Sequence, residues 1–315
     1  MRQPGLIRFG AFIARAPAAP PPAPLTLEEH TLSTAKFPAA GRLAVAFLAA
    51  AALATAAHGQ AEKKDFQPQV GQAGKDVIWV PTPEDLVERM LRMAQTTPND
   101  FVVDLGSGDG RTVIAAAKKF GARAMGIEFN PDMVDLSNRN ASREGVTTKA
   151  KFVRGDIFET DFTQATVVTM YLLPGLNVKL RPRILDMKPG TRVVSHQFNM
   201  EDWQPDEITN LDGRRAYFWI VPAKVQGNWR VQSGSDGWDL ALEQKYQMLE
   251  GSVKFGAINA GLRDTRLQGD KIAFAFVDAA GVKREFTGRV NGNTMEGTVK
   301  PDNNGPESRW TAAKR

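Results

Sequence analysis

The sequence contains no cysteine. That absence removes disulfides, zinc–thiolate sites, thiol nucleophiles and iron–sulfur clusters together. Histidine is nearly absent too, since only His196 lies beyond residue 61. No long apolar run occurs outside the N-terminal sixty residues, which excludes a polytopic membrane protein. An excess of one charge is also missing from most of the chain. The net charge is +5, but residues 1–61 hold five basic residues (Arg2, Arg8, Arg15, Lys36, Arg42) and two acidic ones (Glu28, Glu29). The remainder has 35 basic and 33 acidic residues, a net +2, so there is no electrostatic case for nucleic-acid binding. With 42% hydrophobic and 24% charged residues the chain is globular rather than disordered. Its 315 residues make one large domain or two ordinary ones.

The N-terminal sixty residues read as a leader. Residues 16–25 are rich in alanine and proline and pack no core. Lys36 and Arg42 precede an apolar stretch from Leu43 to Ala57, and Ala57-His58-Gly59-Gln60-Ala61 supplies small residues at its end. A basic region, a short apolar region and a small-residue site describe a secretory signal peptide. Cleavage after Gly59 or Ala61 leaves a mature chain starting near Glu62. The alternative is an uncleaved anchor, although fifteen apolar residues are few against the roughly 20 of a span. Both readings put the rest of the protein across a membrane, exported to a periplasm, secreted, or anchored by its N-terminal segment. The expected organisation is a leader over 1–61, a cofactor domain over 62–225 and a β-rich domain over 226–315.

From Thr82 the sequence alternates helix and strand signals. Thr82 suits a helix cap, Pro83 the first helical position, and Glu84 and Asp85 the positive end of the helix dipole. Strands are expected over 101–105, 124–127, 151–153, 166–172 and 191–198. Helices are expected over 113–120, 131–142 and 177–187. The fold class is therefore α/β, a Rossmann-like doubly wound parallel sheet with ligands at the carboxyl ends of its strands.

Those ends carry an unusual set of residues. Asp104-Leu105-Gly106-Ser107-Gly108-Asp109-Gly110-Arg111 leaves the first strand and enters a helix. Its G-x-G-x-G spacing differs from the G-x-G-x-x-G of dinucleotide binders. Asp104 and Asp109 would repel phosphate but suit an ammonium or sulfonium, so a cationic aminoacyl ligand fits better than a dinucleotide. Glu128 ends the second strand, where a carboxylate can accept both hydroxyls of a ribose. Asp156 ends the third strand and can accept from an adenine amino group, with Ile157 covering the ring. Each acid taken singly is as easily a loop residue or a helix cap. Three acids on three successive strand ends are unlike chance.

At these residues the chain resembles class I S-adenosylmethionine-dependent methyltransferases. Over residues 76–205 it resembles more narrowly the adenine-nucleotide-translocase and ATP-synthase c-subunit lysine methyltransferases with their bacterial relatives. The segments that carry the likeness are Val80-Pro81-Thr82-Pro83, Asp104 to Arg111, Gly126-Ile127-Glu128, Tyr171-Leu172-Leu173-Pro174 and Pro189 to His196. The resemblance implies S-adenosylmethionine as cofactor and a protein lysine as methyl acceptor. It places Asp104, Gly106, Gly108, Glu128 and Asp156 around the cofactor, and Thr82, Leu105, Ser107 and Ile157 are expected beside them.

Methyl transfer asks mainly for alignment, so neither a triad nor a metal is expected. An amine acceptor needs a deprotonated nitrogen in a narrow slot, which Tyr171 and Pro174 are placed to wall. Tyr171 fits equally a core aromatic with a solvated hydroxyl. His196 can take a proton from an amine, but at a strand end it is more often structural. Arg111, Lys179, Arg181 and Arg183 are expected on solvated helix faces.

Beyond Val221 glycines punctuate short alternating runs. Leu240, Leu242, Gln244, Tyr246 and Met248 form one, and Ile272, Phe274 and Phe276 another. Val290-Asn291-Gly292-Asn293 marks a tight hairpin, Phe255 and Phe286 face inward, and Trp310 sits in a last strand. The expectation is an all-β meander or small barrel holding two similar glycine-rich segments, acting as a ligand-binding or a stabilising module. Two other functions stay open at this stage. A nicotinamide-dependent oxidoreductase is disfavoured by the glycine spacing, and an exported non-catalytic binding protein would keep only a vestigial nucleotide fold.

Overall fold

The computed structural model describes residues 66–315, so the leader expected over 1–61 lies outside the described residues. The first half alternates as the sequence indicates. It runs α1 (Glu84–Met93), β1 (Phe101–Leu105), α2 (Arg111–Phe120), β2 (Arg123–Glu128), α3 (Pro131–Arg143), β3 (Ala150–Arg154), β4 (Val167–Met170), α4 (Pro174–Leu185) and β5 (Arg192–His196). A hairpin follows, β6 (Glu207–Leu211) and β7 (Arg214–Ile220). The sheet order is β3-β2-β1-β4-β5-β7-β6. Strands β1 to β5 are parallel, while β7 is antiparallel to β5 and β6 to β7. The chain leaves β1 in one direction for β2 and returns to its other side for β4, which opens a crevice at their carboxyl ends.

The strands are short continuous apolar runs because both faces of the sheet are covered. Val102, Val103, Leu105, Val167, Val168, Val193 and Val194 are all buried. Helix α1 turns Leu86, Val87, Met90 and Leu91 onto one face of this core. The opposite end of the sheet is tied by Arg192, which donates to the Ala94 carbonyl and pairs with Asp100.

Three local expectations change. Thr82 does not cap α1, whose N-cap position is Pro83 with no side-chain bond. Helix α4 starts at Pro174 rather than near 177, with proline in its first turn. Strand β6 carries no clear alternation and three of its five residues face solvent, which hid it from the sequence pattern.

The second half is entirely antiparallel. Strands β8 (Gly227–Ser233), β9 (Asp236–Lys245), β10 (Met248–Phe255), β11 (Ile258–Gly261), β12 (Arg263–Gln268), β13 (Lys271–Val277), β14 (Lys283–Asn291), β15 (Thr294–Pro301) and β16 (Ser308–Lys314) form one sheet. Its order is β11-β10-β9-β8-β16-β15-β14-β13-β12. The Leu262 N–H donates to the Gly251 carbonyl at 2.9 Å and the Thr265 hydroxyl to the Leu249 carbonyl at 2.7 Å. These bonds bring β12 back against β10 and nearly close a barrel. The interior is aromatic: Phe274 stacks on Phe286 at 4.8 Å, and Trp310 and Trp238 meet Phe286 edge-on at 5.6 and 5.8 Å.

The expected hairpin at Gly292 forms, with Asn291 paired to Thr294. The run through Met248 does not continue as one strand. It breaks at Tyr246, whose φ is +56°, and Met248 is exposed beyond the turn. The two similar segments are Leu249-Glu250-Gly251-Ser252-Val253-Lys254 in β10 and Met295-Glu296-Gly297-Thr298-Val299-Lys300 in β15, with the same sequence of buried and exposed positions.

Candidate functional site

The crevice at the carboxyl ends of β1, β2, β3 and β4 is a cavity of about 700 Å³. Of the residues expected at the cofactor, Thr82, Asp104, Gly106, Ser107, Gly108, Glu128, Asp156 and Ile157 all line it, and so does Tyr171. Two expected residues do not. Leu105 is fully buried in the core beneath the sheet. Pro174 is an exposed first residue of α4, and Leu173 and Leu176 take its place on the wall.

Gly106 turns the chain out of β1 with φ +78°, a region that favours glycine, and a Cβ there would sit 3.2 Å from the Leu172 side chain. The loop beyond it is fastened from behind. The Ser137 hydroxyl donates to the Gly108 carbonyl at 2.8 Å, and Asn140 donates to the Asp109 carbonyl at 2.8 Å. Each oxygen of Glu128 accepts one backbone N–H, from Gly108 and from Asn130, both at 2.9 Å. A carboxylate oxygen has two lone pairs, so both retain an acceptor position for a hydroxyl.

Asp104 is buried, and burial pushes its carboxyl up to about 7, opposed by the hydroxyls of Thr169 and Thr112. Thr169 donates to it at 2.6 Å. Such a carboxyl gains most from a cation. Ser107 lines the same cavity, but its hydroxyl is turned towards Gly126, where it is buried without a partner. A carboxylate with two free acceptor positions and a buried acid short of a cation around one glycine turn fit the ribose and aminoacyl ends of S-adenosylmethionine.

The cavity has a roof that sequence reasoning missed. Residues 71–79 fold back on themselves through the Gly71 N–H to the Trp79 carbonyl at 2.8 Å, the reverse pair from Trp79 to Gln72, and a Gly74–Val77 turn. The Trp79 indole nitrogen lies 2.7 Å from where a Gly108 Cβ would stand. Lys75 pairs with Asp156 and sits 4.9 Å from the centre of the Phe129 ring. That bond, with the Phe158 N–H, holds the Asp156 carboxyl below its ordinary value. A lone lysine beside Asp76 gave no signal of this long-range pairing.

The basic residues are also placed differently. Arg111 is half-buried, pairs with Asp109 and donates to the Thr82 carbonyl at 2.9 Å. Arg181 donates to the Met200 carbonyl and pairs with Asp202. Arg183 donates to the carbonyls of Ile157 and Thr160, and Lys179 lies over Phe158. The three arginines are not simply solvated helix faces, whereas Lys179 is exposed as expected.

His196 is buried and does not line the cavity. Burial, helped by Arg214, pushes it down to about 4, so it is neutral at working pH. It does not reach an acceptor in the cavity and is no general base there. Among the described residues no cluster of side chains is arranged to hold a metal.

A sheet in this order, parallel but for its last hairpin, with a glycine turn and acids on three successive strand ends, is the arrangement expected of the class I S-adenosylmethionine-dependent methyltransferases. The family described as the ANTKMT methyltransferase domain matches residues 104–207, and one described as DNA methylase matches 62–139. A protein-lysine N-methyltransferase of Saccharolobus islandicus is 46% identical over 151 residues, which cover 46% of this chain and 94% of that protein. The human lysine N-methyltransferase named for the ATP-synthase c-subunit is 36% identical over 132 residues, covering 42% of this chain and 56% of that protein. The chain thus spans nearly all of the archaeal relative and just over half of the human one. The solved structure of an RNA methyltransferase from Salinibacter ruber with S-adenosyl-L-homocysteine is 49% identical, covering 46% of this chain and 96% of that one, with a TM-score of 0.46. The chain belongs to the methyltransferase family of the Saccharolobus protein, and it is an S-adenosylmethionine-dependent methyltransferase.

Proposed function

We propose that this enzyme methylates the ε-amine of lysine in a protein. One observation carries the choice of acceptor. Among the described residues the two cations that line the cavity, Lys75 and Arg111, are each paired to a carboxylate, and the mouth is apolar. Ile78, Val80, Phe129 and Leu173 stand exposed around it. Among the described residues no free cation there can hold a phosphate backbone, whereas an apolar rim passes the aliphatic stem of a lysine. The relatives named as lysine methyltransferases support the same reading.

Bound S-adenosylmethionine supplies an electrophilic methyl on a good leaving group. The protein holds and orients. Asp104 and the glycine turn take the aminoacyl end, Glu128 the ribose, and Asp156 with Ile157 the adenine. Tyr171, Leu173, Leu176 and Phe198 wall the slot for the amine. An apolar wall favours the neutral amine, whose lone pair attacks, over the ammonium.

The test offers methyl-labelled cofactor with a protein extract and, separately, with RNA. After acid hydrolysis the label is expected as mono-, di- and trimethyllysine. Label on RNA with none in lysine overturns the proposal. The reading extends to location, because residues 1–61 carry an export or anchoring pattern. Cell fractionation with N-terminal sequencing tests it, and an intact leader in the cytoplasm overturns it.

A further inference from the structure

Behind the acceptor wall three parts of the chain converge on one ring. Tyr171 follows β4 and lines the cavity, and among the described residues no protein group bonds to its hydroxyl. The His196 ring, at the end of β5, lies against it with centroids 3.8 Å apart and planes at 36°. The Phe198 ring stacks on it at 6.2 Å and 24°. The His196 Nδ1 is 3.0 Å from the Thr82 hydroxyl, and the Thr82 carbonyl accepts from Arg111 at 2.9 Å.

The backbone between the two supporting rings is strained. Gln197 has φ +65°, a left-handed conformation that few non-glycine residues adopt. The Phe198 N–H donates to the His196 carbonyl at 2.8 Å, closing a three-residue turn of the rarer, strained form. The turn is held from the neighbouring strand. The Gln197 N–H donates to the Arg215 carbonyl at 2.7 Å, and the Arg215 N–H to the Gln197 side-chain oxygen at 3.3 Å. Strain maintained in this way next to a site marks a geometry under constraint. Its result is that both His196 and Phe198 meet Tyr171.

We infer that His196 is a positioning residue: with Thr82 and Phe198 it braces the Tyr171 ring, and so fixes the width of the acceptor slot and the number of methyl groups one amine can receive. The inference rests on the reading that Tyr171 walls that slot. Because His196 is neutral, the brace adds no charge to repel the incoming amine. A wider slot readmits a mono- or dimethylated amine with its lone pair still aimed at the methyl carbon. A fixed ring limits that rotation.

The variants are His196→Ala, which removes the stacked ring, His196→Phe, which keeps a ring but loses the Thr82 bond, Thr82→Val and Tyr171→Ala. Each is titrated with S-adenosylhomocysteine. Each is then assayed on poly-L-lysine for kcat and KM, and on a protein extract for the ratio of mono-, di- and trimethyllysine. For His196→Ala, cofactor affinity is expected within about twofold of the parent, kcat down about tenfold, and products shifted towards trimethyllysine. His196→Phe and Thr82→Val should shift the ratio the same way by less. The shape of the pH profile should not change, because His196 carries no proton in the reaction. If Tyr171→Ala alters kcat and the ratio while folded His196 and Thr82 variants do not, the brace is wrong. If Tyr171→Ala also leaves both unchanged, the acceptor slot lies elsewhere. If the parent forms no methyllysine, the lysine reading falls and this inference with it. Should His196→Ala not fold, His196→Phe and Thr82→Val decide.

Discussion

In the α/β sheet Gly106 leaves room for a ligand, whereas in the barrel Gly297 leaves room for the chain itself. Gly106 has φ +78° and faces the cavity, with only the tip of the Leu172 side chain close by. Gly297 has an ordinary strand conformation, but a Cβ there would lie 1.9 Å from the Thr287 carbonyl and 2.5 Å from the Gly288 Cα. The buried polar groups divide in the same way. Asp104 and the unpartnered Ser107 hydroxyl sit at the strand ends of the first sheet. The barrel interior is a stack of Phe and Trp rings, with the Trp310 nitrogen donating to two strand carbonyls. Unsatisfied polarity concentrated in one region and aromatic closure in the other separate a binding site from a packing core.

Valine at the two glycines breaks this comparison most directly and has the largest expected effect. Gly297→Val has no room to relax because its neighbour is backbone. It should cost at least the ~1–3 kcal/mol of an overpacked site and melt the β half, read by thermal denaturation. Gly106→Val should keep most secondary structure and lose S-adenosylhomocysteine binding. A Gly297→Val protein that melts like the parent, or a Gly106→Val protein that binds like it, would undo the contrast.

Glu128 is next. Glu128→Ala removes both ribose acceptors, each charge-assisted bond worth about 1.5–3 kcal/mol, and it also frees the N–H groups of Gly108 and Asn130. Cofactor affinity should fall tens-fold or more by calorimetric titration. Glu128→Gln keeps one acceptor oxygen and should fall between. Unchanged affinity in the alanine variant would remove Glu128 from the site.

Much of this was legible in the sequence because it is local. The glycine turn, the acid at each strand end and the helix starts are short-range patterns, and the structure brings eight of the nine expected cofactor residues onto one cavity. The hairpin at Gly292 was equally plain, since tight turns demand particular residues. The pieces that escaped depend on partners far along the chain. The Lys75–Asp156 pair spans 81 residues and the Thr82–His196 bond 114. Strand β6 exists because β7 offers it an edge, not because of its own pattern. The arginines expected on solvent faces are drawn inward by loop carbonyls, Thr82 for Arg111, Met200 for Arg181, and Ile157 with Thr160 for Arg183.

The buried polarity of the first region also predicts a moderate pH effect. Burial raises Asp104 to about 7, so the folded protein without cofactor holds a proton there that the unfolded chain would release near 3.8. This group's contribution to stability is present below about pH 4 and is lost as pH rises through 7. His196 runs the other way. Burial lowers it to about 4, and its contribution is present above 6.5 and is lost as pH falls towards 4. A ligand ammonium beside Asp104 favours the charged carboxylate, so binding near neutrality releases the proton. Affinity for S-adenosylhomocysteine should rise roughly tenfold from pH 6 to pH 8, and the binding heat should vary with the ionisation heat of the buffer. Asp104→Asn should bind weakly with no such slope. A flat profile in the parent would show that Asp104 does not meet the ammonium.

The smallest effect on the cofactor should come from removing the barrel. Among the described residues none beyond Phe198 lines the cavity. The first sheet is complete without the barrel, because β7 pairs with β5 and β6, whereas β8 pairs with β9 and β16. Residues 62–225 should therefore bind S-adenosylhomocysteine within about threefold of the full chain. Stability should not be spared. Tyr246 stacks on Trp203 at 5.8 Å, and Gln247 accepts from the Trp203 nitrogen at 3.0 Å. Gln244 accepts from the Val225 N–H at 2.7 Å and donates to the Ala223 carbonyl at 2.8 Å. Cutting after residue 225 uncovers Trp203, which the full chain buries completely, so the fragment should melt at lower temperature and be less soluble. Circular dichroism confirms folding, and titration of both proteins gives the comparison. A folded fragment that fails to bind would show that the barrel holds the cofactor half in its binding shape, and the two regions would then be one functional unit.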